Sequence, residues 1–220
     1  MVGEEVCFCI RPDELPRADV WFAMGYRDAV PERNICNLVD ELVEELVPAA
    51  RMRYMHRFVS AAKTSPTTMT LDGIIFKPGG IICSYLDGMS EACVFVATAG
   101  SELAEELARV RSRGDIVADF VADAIGTVLA ELSVSRLEQS LGREGSLSYS
   151  PGYCGWDIRE QQDFFRLFPP KPCGIALSES SLMKPEKSVS GFCAFGKDLR
   201  RQLYHCEICK NINCYKRKTR

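Results

Sequence analysis

Apolar residues recur at helical spacing in three stretches of the chain, separated by short continuous apolar runs. Behind Pro31, the residues Ile35, Leu38, Val39, Leu42 and Leu46 share one side of a helix, with Glu41, Glu44 and Glu45 toward the other. Pro31 suits a first helical turn, and Pro48 kinks or ends the element. Leu103, Leu107 and Val110 mark a second helix. Asp115 can cap a third, whose apolar set is Ile116, Phe120, Val121, Ile125, Val128, Leu129 and Leu132. This third helix also carries Ala118, Ala122, Ala124, Gly126 and Ala130, small residues that let a neighbour or a ligand approach closely. Arg51 to Val59 forms a further element whose period does not choose between helix and strand.

Other stretches have the character of strands. Ile74-Ile75-Phe76 and Ile81-Ile82-Cys83 are β-prone runs split by a turn at Lys77-Pro-Gly-Gly80. Cys93-Val-Phe-Val-Ala97 is apolar throughout, as expected of a strand buried on both faces. Gly174 to Leu177 and Ser188 to Phe195 predict strands on either side of a turn near Pro185. Asp157 with Glu160 three residues on reads as a capping box for a helix through Phe168, ended by Pro169, Pro170 and Pro172. Ser140 to Ser148 is a loop. The first thirty residues, broken by Pro12, Pro16, Gly25 and Pro31, read as irregular, with Trp21 and Phe22 as packing anchors. Helical hairpins and short strands without regular βαβ alternation give the fold class α+β.

Composition narrows the function classes. The 220 residues fit one α/β or α+β unit, and a net charge of −3 gives no support for a nucleic-acid or anionic-membrane surface. No apolar run approaches the roughly 20 residues that span a bilayer. The first residues lack the basic flank and apolar stretch of a signal peptide, so the expected location is the cytoplasm. Eleven cysteines are many for such a chain, and an odd number spread over its length argues against a disulfide framework. Metal, cluster or cofactor chemistry, or anaerobic life, are the better readings. Cys36, Cys83 and Cys93 fall on apolar faces and read as core, Cys7 and Cys9 alternate on an edge strand, and His56 reads as surface.

The clearest thiol constellation is Cys206-Glu-Ile-Cys209-Lys-Asn-Ile-Asn-Cys214. Two cysteines separated by two residues can direct both sulfurs at one metal, and the third can close a face. Zinc needs a fourth ligand, from His205, Cys193 or Cys154, and an iron–sulfur cluster normally takes four thiolates. The remaining reading is a thiol-rich tail that binds nothing. The organisation expected is a main unit over residues 1–200, with residues 1–70 its less certain N-terminal helical part, and a Cys-rich, basic C-terminal tail over residues 201–220.

The ordered set Ser150-Pro-Gly-Tyr-Cys-Gly-Trp156, a capped helix, Leu177-Ser-Glu-Ser180 and Met183-Lys-Pro-Glu-Lys-Ser-Val-Ser-Gly191 resembles one family. In the activation domain of cobalamin-dependent methionine synthase the corresponding pieces read Pro-x-Gly-Tyr, Leu-Thr-Glu-Ser and Ser-Val-Ser-Gly. A strand ending in Thr98-Ala99-Gly100 and paired helices containing Ala122-Asp123-Ala124 extend the resemblance over about residues 92–195. It implies a mixed, largely antiparallel twisted sheet packed with helical hairpins over residues 1–200.

The resemblance also implies S-adenosylmethionine binding in the reductive remethylation of a cobalamin held by a partner. That partner would be a cobalamin-dependent methionine synthase or another corrinoid protein, with a flavodoxin- or ferredoxin-type electron donor. Tyr153 matches the motif tyrosine that lies beside the ligand, faces the corrin and takes the catalytic position. Ser150 matches a small residue that offers backbone to the ligand, and Asp123 a helix glutamate that binds it. Gly152 allows close backbone approach, Glu179 suits the cationic or hydroxyl parts of the ligand, and Tyr204 is a second ligand tyrosine. Where the family has an arginine that pairs the ligand carboxylate, this chain has Ser148. Arg143 in the adjoining loop is a candidate replacement. Three functions follow: an accessory methyltransferase-activation component that needs a corrinoid partner, a metal or iron–sulfur redox protein using Cys206, Cys209 and Cys214, or a non-catalytic scaffold keeping the fold.

Overall fold

The computed structural model describes residues 3–197 and residue 199. Its strands are β1 (Val6–Phe8), β2 (Met52–Lys63), β3 (Met69–Leu71), β4 (Ile74–Phe76), β5 (Glu91–Thr98), β6 (Ala176–Leu177), β7 (Met183–Lys184) and β8 (Ser188–Phe195). Its helices are α1 (Arg17–Ala23), α2 (Arg33–Leu46), α3 (Gly79–Cys83), α4 (Ser101–Ser112), α5 (Ile116–Ser140) and α6 (Gln161–Phe165). Every strand pairing is antiparallel. The main sheet runs β4-β3-β2-β5-β8, and β1 joins β2 beside Met52, Arg53 and Tyr54. β6 and β7 form a separate hairpin. The protein is α+β with an antiparallel sheet.

The period-two geometry of β5 divides the core. Cys93, Phe95 and Ala97 pack with Val134 and Leu137 of α5, and Ala92, Val94 and Val96 pack with Tyr149, Trp156 and Phe164 on the other face. Both faces are therefore dry, which is why the strand reads as apolar throughout. A third cluster joins α2, α4 and α5 with Val20 of α1. Asp115 caps α5 as expected: its side chain accepts from Val117 N at 2.9 Å and Ala118 N at 3.0 Å. The predicted faces of α2 and α4 are also those that are buried, Val39, Leu42 and Leu46 on the first and Leu103 and Val110 on the second.

The structure corrects five expectations. Met52 to Val59 belongs to the twelve-residue strand β2, whose basic side chains are matched by ion pairs, Arg53 with Glu102 and Arg57 with Asp72. Ile81-Ile82-Cys83 is the end of helix α3, where Ile82 and Cys83 are both buried; adjacent residues in a strand would point to opposite faces. The first thirty residues hold β1 and α1. Ile116 and Phe120 belong to the predicted apolar face of α5 but stand 84% and 53% exposed, because the buried side of the helix runs through Ala118, Val121, Ala122 and Ile125 instead. His56 is half-buried in β2 between Tyr54 and Phe58, and desolvation lowers its pKa.

The segment after Trp156 departs from expectation as well. A short 3-10 turn, Ile158–Glu160, precedes α6, which ends at Phe165. Asp157 does cap, accepting from Arg159 N at 2.9 Å, but Glu160 does not complete a box. Its Oε2 accepts from Trp156 Nε1 and from Lys77 N, both at 2.8 Å. Tertiary donors have taken the carboxylate that local geometry reserved for the helix start.

Candidate functional site

The segment from Ser150 to Trp156 folds as two interlocked turns. Tyr153 N donates to Ser150 O at 3.2 Å, Trp156 N to Tyr153 O at 2.9 Å, and Gly152 N to Trp156 O at 2.9 Å. Closing so tightly requires positive φ, which Gly152 (+91°) supplies without strain. The glycine therefore answers first to the turn, and a Cβ there would press on Ile158 Cδ1 at 3.1 Å. Trp156 anchors the segment, its ring meeting Phe76, Phe164 and Phe192 edge-on. Tyr153 rides at the tip, 46% exposed. Cys154 beside it is half-buried against the apolar cluster under the sheet.

This turn is joined to β8 by a reciprocal bridge. Tyr149 N donates to Phe192 O and Phe192 N to Tyr149 O, both at 2.9 Å. The approach explains the glycine that closes Ser188-Val-Ser-Gly191: a Cβ on Gly191 would lie 2.6 Å from Tyr149 O and 2.8 Å from Ser150 Oγ. One residue earlier, Ser190 Oγ donates to Gln161 Oε1 at 3.1 Å, and Gln161 Nε2 donates to Ser181 O at 2.9 Å. Gln162 Nε2 donates to Ser178 O at 3.0 Å. The turn from Ser178 to Leu182, which carries exposed Glu179, is thus tied to β8 through the start of α6. Ser150, Gly152, Tyr153 and the Glu179 turn form one hydrogen-bonded block.

Asp123 lies elsewhere, on α5 near the start of β8. Its Oδ1 accepts from Lys187 Nζ at 2.7 Å, and the same ammonium donates to Thr127 Oγ1 at 3.0 Å. The Lys187 stem crosses α5 over Gly126, where a Cβ would meet Lys187 Cγ at 3.0 Å. The small residue in the helix interior is filled by a side chain of the chain itself. Lys187 is held at its backbone too, its carbonyl accepting from Ala99 N at 2.9 Å and Thr98 Oγ1 at 3.3 Å. Lys187 is four residues from Gly191, about 13 Å at strand rise. The sequence signals for this pair are slight: a glycine in a helix, and a lysine before Ser188 that no spacing rule singles out.

Arg143 does not stand in for an arginine at Ser148. It pairs with Glu91, and its guanidinium lies 4.4 Å over the Phe58 ring and 4.0 Å over that of Phe195. Those rings belong with the α5 face of the sheet, opposite Trp156. Among the described residues no group of three or more His, Cys, Asp or Glu side chains is placed to hold a metal ion. Tyr204, His205, Cys206, Cys209 and Cys214 lie outside the described residues. Among the described residues, no helix is long and apolar enough to cross a membrane.

An antiparallel sheet with helices over one face, and with the Tyr153 turn, α6 and the Glu179 hairpin over the other, defines the class of fold. A solved structure of this class is the MetH reactivation domain bound to AdoHcy. The two chains superpose with a TM-score of 0.64 at 14% identity, covering 92% of this chain and 81% of that one. No protein-family model matches the sequence, and no curated protein does.

Proposed function

We propose that this chain is a reactivation module that binds an S-adenosyl ligand and serves a corrinoid-dependent methyltransferase. The observation that supports it is the coincidence of fold and motif. A chain similar in structure to the MetH reactivation domain over 92% of its length also gathers Ser150, Gly152, Tyr153 and the Glu179 turn into one block. At that block Tyr153, 46% exposed, stands on a turn fixed by Trp156, an aromatic suited to lie against a sulfonium or a purine. Glu179 stands exposed at the apex of its turn, where a carboxylate can accept from ribose hydroxyls or an ammonium group. The bound S-adenosyl group supplies the methyl chemistry, and the chain's residues orient it and shield it from water. A corrinoid group would be brought by the partner protein.

Calorimetry with S-adenosylmethionine and S-adenosylhomocysteine tests the reading. Ligand at about 100-fold over Kd should add about 2.7 kcal/mol to stability and raise Tm accordingly. No heat and no thermal shift at millimolar ligand would sink it. A second reading has one observation in its favour: Asp123 is already neutralised by Lys187, and Ser148 brings no cation. On that reading the chain is a scaffold, which binds neither ligand yet still co-purifies with a corrinoid protein.

A further inference from the structure

Three consecutive residues, Glu160, Gln161 and Gln162, join the turns that carry Tyr153 and Glu179. Gln161 Nε2 donates to Ser181 O and Gln162 Nε2 to Ser178 O, so both glutamines serve the Glu179 turn. Glu160 serves the other. Its Oε2 accepts from Trp156 Nε1 and from Lys77 N, both at 2.8 Å. A glutamate at this place would ordinarily return to the start of its own helix. Here it bridges Trp156 to the backbone just after β4, 83 residues earlier in the chain.

Trp156 is the lever of the Tyr153 turn. Its N donates to Tyr153 O and its O accepts from Gly152 N, so a shift of the tryptophan carries the tyrosine with it. Its ring is 2% exposed and meets Phe76, Phe164 and Phe192 edge-on. Burial of that kind keeps the ring inside but does little to fix its rotation, because the hydrophobic effect has no direction. The bond from Nε1 to a carboxylate is directional and charge-assisted. The acceptor is itself held, since Lys77 N binds the same oxygen. Phe76 and Lys77, adjacent at the end of β4, therefore grip the two ends of one assembly: Phe76 packs on the indole, and Lys77 fixes the carboxylate that receives its N–H.

We propose that Glu160 is a positioning residue of the site: through Trp156 it sets where Tyr153 stands relative to the Glu179 turn. This rests on the reading that the chain binds an S-adenosyl compound at that block. Glu160 acts on the tyrosine and not on the ligand, because its Oε2 is spent on Trp156 and Lys77. Ligand affinity then depends on a hydrogen bond beneath the site, and the dependence runs through Tyr153.

The experiment is calorimetry on the full chain with S-adenosylhomocysteine, backed by thermal shift at millimolar ligand for the weaker binders. Glu160→Ala should weaken binding about fivefold or more, and Glu160→Gln, whose amide oxygen can accept from the same two donors, should restore most of it. In a Tyr153→Ala background, Glu160→Ala should cost less than about twofold, because the residue it acts through is gone. An equal loss in both backgrounds overturns the inference, since Glu160 would then act independently of Tyr153. Unchanged affinity of Glu160→Ala overturns it too, whatever happens to the melting temperature, since the hydrogen bond would then serve stability alone. Both of these outcomes leave the proposed function standing. Absence of binding by wild type removes the proposed function and this inference together. Should Glu160→Ala melt early, Glu160→Met keeps the stem, removes the acceptor and reads the same quantity.

Discussion

Ser190 donates its hydroxyl to Gln161 Oε1 at 3.1 Å, and the two residues are 1% and 2% exposed. Because the other end of the same amide donates to Ser181 O, one buried glutamine joins β8 to the Glu179 turn. Gln161→Ala leaves a serine hydroxyl and a carbonyl without that partner in a dry interior. The expected loss is about 2 kcal/mol, read as a lower urea midpoint with an unchanged m-value. A midpoint within error of wild type would show that water replaces the amide.

Gly191→Ala tests the close approach between β8 and the Tyr153 turn. The added Cβ would lie 2.6 Å from a backbone oxygen, which cannot swing aside as a side-chain tip can. The strand or the turn must shift, with an expected loss of roughly 1–3 kcal/mol. On the proposed function, ligand affinity should fall further than stability accounts for, since Ser150 moves with the turn. Fluorescence-monitored unfolding and calorimetry on the same preparation separate the two effects.

Tyr153→Ala should behave in the opposite way. The turn is held by backbone bonds and by Trp156, so trimming a half-exposed ring should change stability by less than about 0.5 kcal/mol. If Tyr153 lies against the ligand, S-adenosylhomocysteine binding should weaken tenfold or more. Unaltered binding would remove Tyr153 from the site.

Acid should weaken the contact between α4 and β2. Arg53 Nη2 donates to Glu102 Oε1 at 2.9 Å, and this bond holds the Glu102 carboxyl at a pKa of about 2, below its ordinary 4.5. A carboxyl whose pKa is lowered by folding contributes stability that is complete above its unfolded value and is lost as pH falls through its folded value. The window is therefore about 4.5 down to 2. Half-exposure of Glu102 screens the pair, so the effect should be modest. Glu102→Gln should lower Tm by about 1–2 °C at pH 7 and by much less at pH 2, in matched thermal scans.

Thiol alkylation offers a check on the core. Burial pushes Cys93 and Cys173 up to about 12, and raises Cys83 as well. At pH 8 about one in ten thousand of a thiol with a pKa of 12 is thiolate, and these sulfurs are also shielded from reagent. Iodoacetamide followed by peptide mapping should label exposed Cys7 and Cys9 within minutes and leave Cys83, Cys93 and Cys173 untouched until denaturant is added. Rapid labelling of Cys93 in native protein would contradict the packing of β5 under α5.

Much of the architecture is legible in the chain alone where one face of an element is buried along its length. The apolar sides of α2 and α4, the Asp115 cap and the unbroken apolar run of β5 are set by local geometry and by water, so period and capping chemistry suffice to find them. At Ser150 to Trp156 the two glycines are legible as positions where the backbone can take a positive φ, while the turn itself is closed by contacts of Trp156 with distant rings. Legibility fails where a residue's partner is distant in sequence. Ile116 and Phe120 read as part of the apolar side of α5, but the side that other elements cover runs through Ala118, Val121 and Ala122 and leaves those two exposed. β2 was ambiguous because Arg53 and Arg57 find their counter-charges at Glu102 and Asp72, on other elements.

The candidate site divides along the same line. The sequence by itself determined the glycine at 152 that permits close backbone approach and the motif order that suggests an S-adenosyl ligand. Only the tertiary structure decided that Gln161 ties that turn's neighbours together, that Arg143 is committed to Glu91, and that Lys187 is laid over Gly126 to meet Asp123. Those are charge and hydrogen-bond choices made across 29, 52 and 64 residues of chain. A spacing rule cannot see them, because the energy that selects each partner exists only after the sheet has brought the two segments together.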